Sequence, residues 1–152
     1  MNHKNFSLAR YLAIQAFYQL KQSQLSFDEV LGQFNEWHIK NISFDFNNSY
    51  DHLKFDVNKK YFNDILIKYK NDKIKINSLI DENLIDTWKS DRLPKVLYSI
   101  IRVAVTEMVL NRKLSFAIIA SEYIILTETF FSKKESSFVN ALLENIYKKF
   151  SK

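Results

Sequence analysis

The feature that most constrains the fold is a shortage of residues that turn the backbone. The 152-residue chain holds one glycine, Gly32, and one proline, Pro94. The hairpins of β-sandwiches and barrels rely on glycine, and loops that cradle phosphate groups need runs of it. This composition therefore excludes both and predicts an all-α protein with short polar connections.

Hydrophobic residues recur at spacings of three and four along most of the chain, which is the pattern of amphipathic helices. It predicts about seven helices, near 7–22, 27–37, 57–69, 73–88, 94–111, 115–131 and 132–150. The pattern at 116–131 is hydrophobic around most of the circumference, so we expect the other helices to enclose this one. The polar and aromatic segment 41–55 is predicted to be a loop with one short helical turn.

Helix starts are marked by polar residues that accept hydrogen bonds from free backbone N–H groups. Ser26 with Glu29, and Ser132 with Glu135, have the spacing of capping boxes. Asp56 is the predicted cap of the third helix. The helices fit one domain over residues 1–152, with an N-terminal helical subdomain at about 7–88 and a C-terminal one at about 89–150.

Bulk properties narrow the class of protein. The sequence has no run of 18 apolar residues, so no membrane span is predicted. The N-terminus lacks a signal-peptide pattern, and a cytoplasmic location is therefore expected. The absence of cysteine excludes disulfides and thiolate metal sites. The formal charge of +5 and the isoelectric point near 9.3 favour polyanionic partners, although solvated lysine faces are also common.

Enzyme chemistry has little support in the sequence. The three histidines are far apart and have no metal-ligand spacing; they are His3, His38 and His52. Three acids on the later helices are expected to be solvent-facing or capping residues; they are Glu107, Glu122 and Glu128. We therefore predict no catalytic residues, no metal, no cofactor and no enzyme activity.

Three clusters combine cations with aromatic or planar groups, as single-stranded RNA requires. The N-terminal tip carries His3, Lys4 and Arg10. The predicted fifth helix has a polar stripe of Lys95, Ser99, Arg102 and Thr106, with Arg92 in the preceding turn. The last helix begins with Lys133, Lys134, Phe138 and Asn140. Each cluster alone is typical of a solvated surface, and together they make one RNA-binding face if the first, fifth and seventh helices pack side by side.

Four sequence blocks resemble the NusB family of bacterial transcription antitermination factors. They are LAIQAFYQ at 12–19, DRL at 91–93 followed by IIRVAVTEM at 100–108, SEY at 121–123, and FVNALL at 138–143. No block is specific alone, but all four occur in the family's order and spacing. The region 23–88 adds only its helical pattern to the resemblance.

The resemblance implies an all-α fold of two packed helical subdomains and a partner, the small-subunit ribosomal protein NusE. It implies binding of the single-stranded boxA element of ribosomal RNA leaders, within the antitermination complex of RNA polymerase. Matching positions assign RNA contacts to Tyr18, Arg102, Phe138 and Asn140, and the basic tip corresponds to an arginine-rich segment of the family.

The sequence departs from the family at two places. The tip has one arginine where relatives have several, and lysine lacks the bidentate fork that arginine offers to phosphate. Lys133 and Lys134 stand where relatives are often acidic, and they offer a replacement for the missing charge. Two alternatives stay open: a helical adaptor that binds only protein, and a stand-alone domain like those that precede ribosomal RNA cytosine methyltransferases.

Overall fold

A computed structural model describes residues 3–38, 57–84 and 92–150, without the side chains of His3, Lys4 and Trp37. Six α-helices and one π-helical turn fill these ranges. They are α1 (His3–Gln22), α2 (Phe27–Gln33), the π-helical turn (Phe34–His38), α3 (Lys59–Asn83), α4 (Lys95–Leu110), α5 (Phe116–Phe130) and α6 (Lys133–Phe150). The described ranges hold no strand, which confirms the all-α prediction. The predicted loop 41–55 lies outside them.

The chain divides into two compact units, residues 1–66 and 67–152. The division falls within α3, whereas the predicted subdomain boundary near residue 88 lies outside the described ranges. In the described part of the chain, no helix is both long and apolar enough to cross a membrane.

The first unit is built on the buried face of α1. Leu8, Leu12 and Phe17 are almost fully buried, in agreement with the predicted amphipathic pattern. Phe34 of the π-helical turn stacks on Phe62 of α3 with ring centroids 5.7 Å apart, and both rings are fully buried. Burying a phenylalanine side chain contributes about 1.5–3 kcal/mol, so this pair is a main stabilising contact of the unit.

A reciprocal amide pair joins the π-helical turn to α3. Asn35 Nδ2 donates to Asn63 Oδ1 at 2.8 Å, and Asn63 Nδ2 donates back to Asn35 Oδ1 at 3.2 Å. The wider π-helical turn continues the helix that starts at Phe27, so the predicted helix to about residue 37 is confirmed.

The start of α3 corrects one predicted cap. Asn58 Oδ1 accepts a hydrogen bond from the Tyr61 N–H at 2.9 Å, and the helix begins at Lys59. The cap of this helix is therefore Asn58, whose side chain is adjacent to the first helical turn, whereas the sequence predicted Asp56. The cap at Ser26 is confirmed: its Oγ accepts from the Glu29 N–H at 3.1 Å.

The third and fourth predicted helices form one element. Helix α3 continues through Asp72, where φ −114° and ψ 23° depart from helical values. The kink falls at the polar pair Asn71-Asp72, where the sequence predicted one helix to end and the next to begin. Lys68 and Asp72 pair at 3.0 Å across that turn.

In the second unit the enclosed helix is α4 and not α5. Every residue of α4 from Leu97 to Val109 is buried. Helix α5 buries only Ile119, Tyr123, Leu126 and Thr127, and it leaves Ile118 and Ile125 about half exposed. The sequence prediction was wrong here: α5 has the more hydrophobic composition, but part of its hydrophobic surface stays exposed, whereas nearly all of α4 is buried.

The turns of the second unit are closed by side chains. Ser115 caps α5 by accepting from the Ile118 N–H at 3.3 Å. Glu135 Oε1 accepts from both the N–H and the hydroxyl of Ser132, at 3.1 and 2.7 Å, so Ser132 and Glu135 interact at the start of α6 as the capping-box spacing predicted. These hydrogen bonds lower the pKa of the Glu135 carboxyl.

Candidate nucleic-acid interface

Arg102 lies at the middle of α4, on a tyrosine one turn earlier. Its guanidinium carbon is 4.0 Å from the centroid of the Tyr98 ring, and its side chain is only 7% exposed. The Tyr98 hydroxyl donates to Asp81 Oδ1 of α3 at 3.0 Å. Burial and this bond raise the pKa of Tyr98 to about 12, although the Arg102 charge opposes the rise. Tyr98 thus holds Arg102 in place by a cation–π contact.

Two buried polar atoms have no hydrogen-bond partner among the described residues. They are Arg102 Nε on α4 and Asn140 Oδ1 on α6. An unsatisfied buried group costs about 1–3 kcal/mol, so native proteins rarely keep one without a reason. One atom is a donor and the other an acceptor, so a ligand with both functions can satisfy the pair.

The helix order places these two residues at a similar level. Short turns join α4 to α5 and α5 to α6, so α4 and α6 run in the same sense. At the far end Arg112, just after α4, contacts Phe150 of α6. Arg102 stands about 12 Å before the end of α4 at Leu110, and Asn140 stands about 15 Å before the end of α6 at Phe150. Helices α4 and α6 pack against each other, and that Arg102 and Asn140 share one site stays a prediction.

The start of α6 adds positive charge on the same helix. Lys133 and Lys134 are exposed in its first turn, where the helix dipole is already positive and attracts anions. Phe138 is half-buried one turn later, and Arg92 is exposed in the turn before α4. The second unit thus holds five of the predicted RNA-binding residues, namely Arg92, Arg102, Lys134, Phe138 and Asn140.

The remaining predicted residues lie in the first unit. Arg10 is 5% exposed, and its guanidinium lies 5.8 Å from the centroid of the Tyr61 ring. It is therefore a largely buried cation and not an open tip residue. Tyr18 is 37% exposed on α1, and the side chains of His3 and Lys4 lie outside the described residues. That these groups share one face with Arg102 stays a prediction.

The polar stripe of α4 is buried, which corrects its interpretation as a solvated face. Ser99 and Thr106 are at most 1% exposed, and each donates its hydroxyl to the carbonyl four residues earlier. Lys95 alone of the stripe is exposed. Tyr98 was not among the residues predicted from the sequence, although its four-residue spacing from Arg102 is the signal for a contact on one helix face.

The acids do not form a catalytic set. Glu107 is fully buried and accepts a 2.7 Å hydrogen bond from the Tyr123 hydroxyl, so its assignment as a solvent-facing or capping residue was wrong. Glu128 is exposed and accepts from the Ser136 hydroxyl at 2.8 Å. The described residues include no group of three or more metal-ligating side chains.

Comparison with known proteins decides the family. The family model described as "NusB family" matches residues 7–148, nearly the whole chain. The chain belongs to the NusB family. Its members are transcription antitermination factors without catalytic activity.

Relatives and solved structures agree with this membership. The transcription antitermination protein NusB of Clostridium botulinum is 30% identical, over 95% of this chain and 99% of the relative. The NusB protein of Hyphomonas neptunium is 29% identical, over 91% of this chain and 86% of its own. A solved structure of antitermination factors NusB and NusE in complex with double-stranded RNA matches with a TM-score of 0.74. It covers 97% of this chain and 99% of the other, at 21% identity, and so supports the fold.

Proposed function

We propose that this NusB-family protein binds a boxA-type single-stranded RNA of ribosomal RNA leaders together with a NusE-type ribosomal protein, and so supports transcription of ribosomal RNA in the cytoplasm. The observation that carries the proposal is the pair of unsatisfied atoms, Arg102 Nε and Asn140 Oδ1. Family membership and a solved NusB–NusE–RNA complex of the same fold support it.

The chemistry of the pair suits an exposed base or a ribose. A base edge offers donors and acceptors side by side, and unpaired bases present them freely, unlike bases inside an A-form duplex. The guanidinium group of Arg102 also suits a phosphate, because its N–H donors match the geometry of phosphate oxygens. The ring of Phe138, two residues before Asn140 on α6, is half-buried. Its exposed part can stack on a base.

The surrounding cations supply affinity without sequence preference. Lys134 and Arg92 are exposed and hold charge close to the starts of α6 and α4. Phosphate contacts of this kind position a strand, while contacts to the base edges select its sequence. A few cations alone give weak binding, so linkage to a second protein on the same RNA is the expected source of tight assembly.

The decisive experiment measures fluorescence anisotropy of labelled boxA-type RNA and of a scrambled RNA, with and without the NusE-type partner. Arg102→Gln and Asn140→Ala should each weaken boxA binding about tenfold, since a good base contact is worth about 1–3 kcal/mol, and should reduce discrimination against the scrambled RNA. Lys60→Gln is the matched charge control, because Lys60 is ion-paired to Asp64 on α3.

The same titration separates the alternatives. Binding that appears or tightens with the partner supports antitermination assembly. If neither state binds RNA while the two proteins still associate, the chain is a protein adaptor and the proposal fails.

A further inference from the structure

A second concentration of positive charge surrounds Phe150, at the end of α6. The guanidinium carbon of Arg112 lies 4.4 Å from the centroid of the Phe150 ring, and Lys75 Nζ of α3 lies 5.8 Å from it. Lys113, Lys148 and Lys149 are exposed beside these residues in sequence. We call these five cations and their ring the Phe150 patch. None of them belongs to the predicted RNA-binding set.

Two hydrogen bonds bring distant parts of the second unit together at this patch. The Tyr147 hydroxyl donates to the Leu114 carbonyl at 3.1 Å and so fixes the turn after α4 against α6. Lys149 Nζ donates to Asn83 Oδ1 at 2.7 Å and ties the end of α3 to the end of α6. Because these contacts come from three elements, the patch is a product of the tertiary fold and not of a local charge run.

The charge of the patch is mostly uncompensated. Lys148 pairs with Glu144 at 3.1 Å on α6. Lys75, Arg112 and Lys113 form no ion pair with the residues that the structure describes. Asp81, an acid near the end of α3, accepts the hydroxyl of Tyr98. Like charges held together in this way raise the local potential and attract a polyanion.

We infer that the Phe150 patch binds the phosphate backbone of a nucleic-acid strand, as a second contact surface about 15 Å along α4 and α6 from Arg102 and Asn140. The inference goes beyond the proposed function and stands without it, because the two surfaces share no residue. Arg112 is held on the ring, so its position is fixed before a ligand arrives, and its guanidinium edge offers paired N–H donors to one phosphate.

An acidic protein segment fits the patch less well. Protein interfaces take most of their energy from apolar or aromatic anchors that become fully desolvated. Here the aromatic ring is half-buried beneath two cations, and the other members are exposed lysines. A surface made of charge alone matches a ligand that binds by charge alone, as a phosphate backbone does.

The test uses the full chain without a partner and a labelled uridine oligonucleotide of about 20 nucleotides, which has no boxA sequence. Lys75→Gln with Arg112→Gln removes the two ring-bound cations. Lys59→Gln with Lys60→Gln is the control, because it makes the same change of charge at exposed positions of α3. Binding is measured at about 50 and 200 mM salt.

We expect the patch variant to bind about five- to tenfold more weakly at the lower salt, and the control less than twofold. The slope of log affinity against log salt should fall by about 1.4, since each lost phosphate contact on a single strand removes about 0.7. Lys113→Gln, which leaves the ring contacts intact, should lower the slope by about 0.7. It serves as the test if the double variant does not fold.

An equal loss of affinity for the uridine oligonucleotide in the patch variant and the control overturns the inference. So does patch-dependent binding of a glutamate oligopeptide without any patch effect on the uridine strand, because that result assigns the patch to a protein. Arg102→Gln and the patch variant, each titrated with boxA-type, scrambled and uridine RNA, separate the two hypotheses. If boxA discrimination depends on Arg102 while the Phe150 patch variant binds normally, the proposed function stands and this inference fails. If Arg102→Gln leaves boxA discrimination unchanged while the patch variant binds weakly, this inference stands and the proposed function fails.

Discussion

The hydroxyl of Tyr123 donates a 2.7 Å hydrogen bond to Glu107 Oε1, and both side chains are fully buried. The bond joins the middle of α5 to the last turn of α4 in the second unit. A buried carboxyl group needs such donors, because leaving water without them costs several kcal/mol. The contact therefore fixes the side-to-side placement of the two helices.

Tyr123→Phe keeps the ring in the core and removes this donor to Glu107. We expect the free energy of unfolding to fall by about 1–3 kcal/mol, the range for a buried group that loses a hydrogen bond. Urea denaturation measures it, with Tyr18→Phe as the control on an exposed tyrosine, where a change within about 0.5 kcal/mol is expected. An equal effect of both substitutions contradicts the assigned role of the bond.

Arg102→Met should separate stability from binding. The methionine fills part of the same volume without a buried charge or an unsatisfied Nε–H, so the RNA-free protein should be unchanged or up to about 2 kcal/mol more stable. RNA affinity should fall about tenfold, because the charge-assisted contact is lost. Urea denaturation of the variant measures the change in stability, and RNA titration measures the change in affinity. A variant that unfolds easily shows that Arg102 mainly supports the fold through Tyr98.

Tyr98 predicts a specific dependence of stability on alkaline pH. Its pKa is raised to about 12 in the folded protein, against an ordinary value of 10.0, first by burial and then by the bond to Asp81. The protonated hydroxyl is thus favoured by folding. Its contribution is fully present below about pH 10, and it is lost as pH rises through about 12.

Wild-type protein and the Tyr98→Phe variant provide the measurement. Their difference in tyrosinate absorbance should titrate near pH 12. Their difference in unfolding free energy should be constant from about pH 8 to 10. Above that range the wild-type protein should lose stability relative to the variant. A difference spectrum that titrates at the ordinary tyrosine pKa contradicts burial of this hydroxyl.

The corrected cap of α3 gives a fourth prediction. Asn58→Ala removes the acceptor of the Tyr61 N–H and should lower the free energy of unfolding by about 1 kcal/mol. Asn58→Asp keeps an acceptor beside the helix N-terminus and should preserve stability. Asp56→Ala, at the position favoured by the sequence, should have the smaller effect. Thermal or urea unfolding of the three variants ranks the two positions.

Local structure was largely predictable from the sequence, because hydrophobic periodicity and capping depend on residues within a few positions of each other. The helices at 7–22 and 115–131, and the hydrogen bonds between Ser132 and Glu135, follow from such patterns and agree with the structure. Composition alone determined the all-α class, since one glycine cannot supply the turns of a β-fold.

Only the tertiary structure decided which helix the others enclose and which cations share a surface. Helix α5 is the more hydrophobic, yet α4 is the buried one, because burial depends on which faces meet neighbours from distant parts of the chain. The same long-range packing gathers Lys75 and Arg112 on Phe150, residues separated by up to 75 positions. No local pattern predicts these contacts, because each one joins residues that are far apart in the sequence.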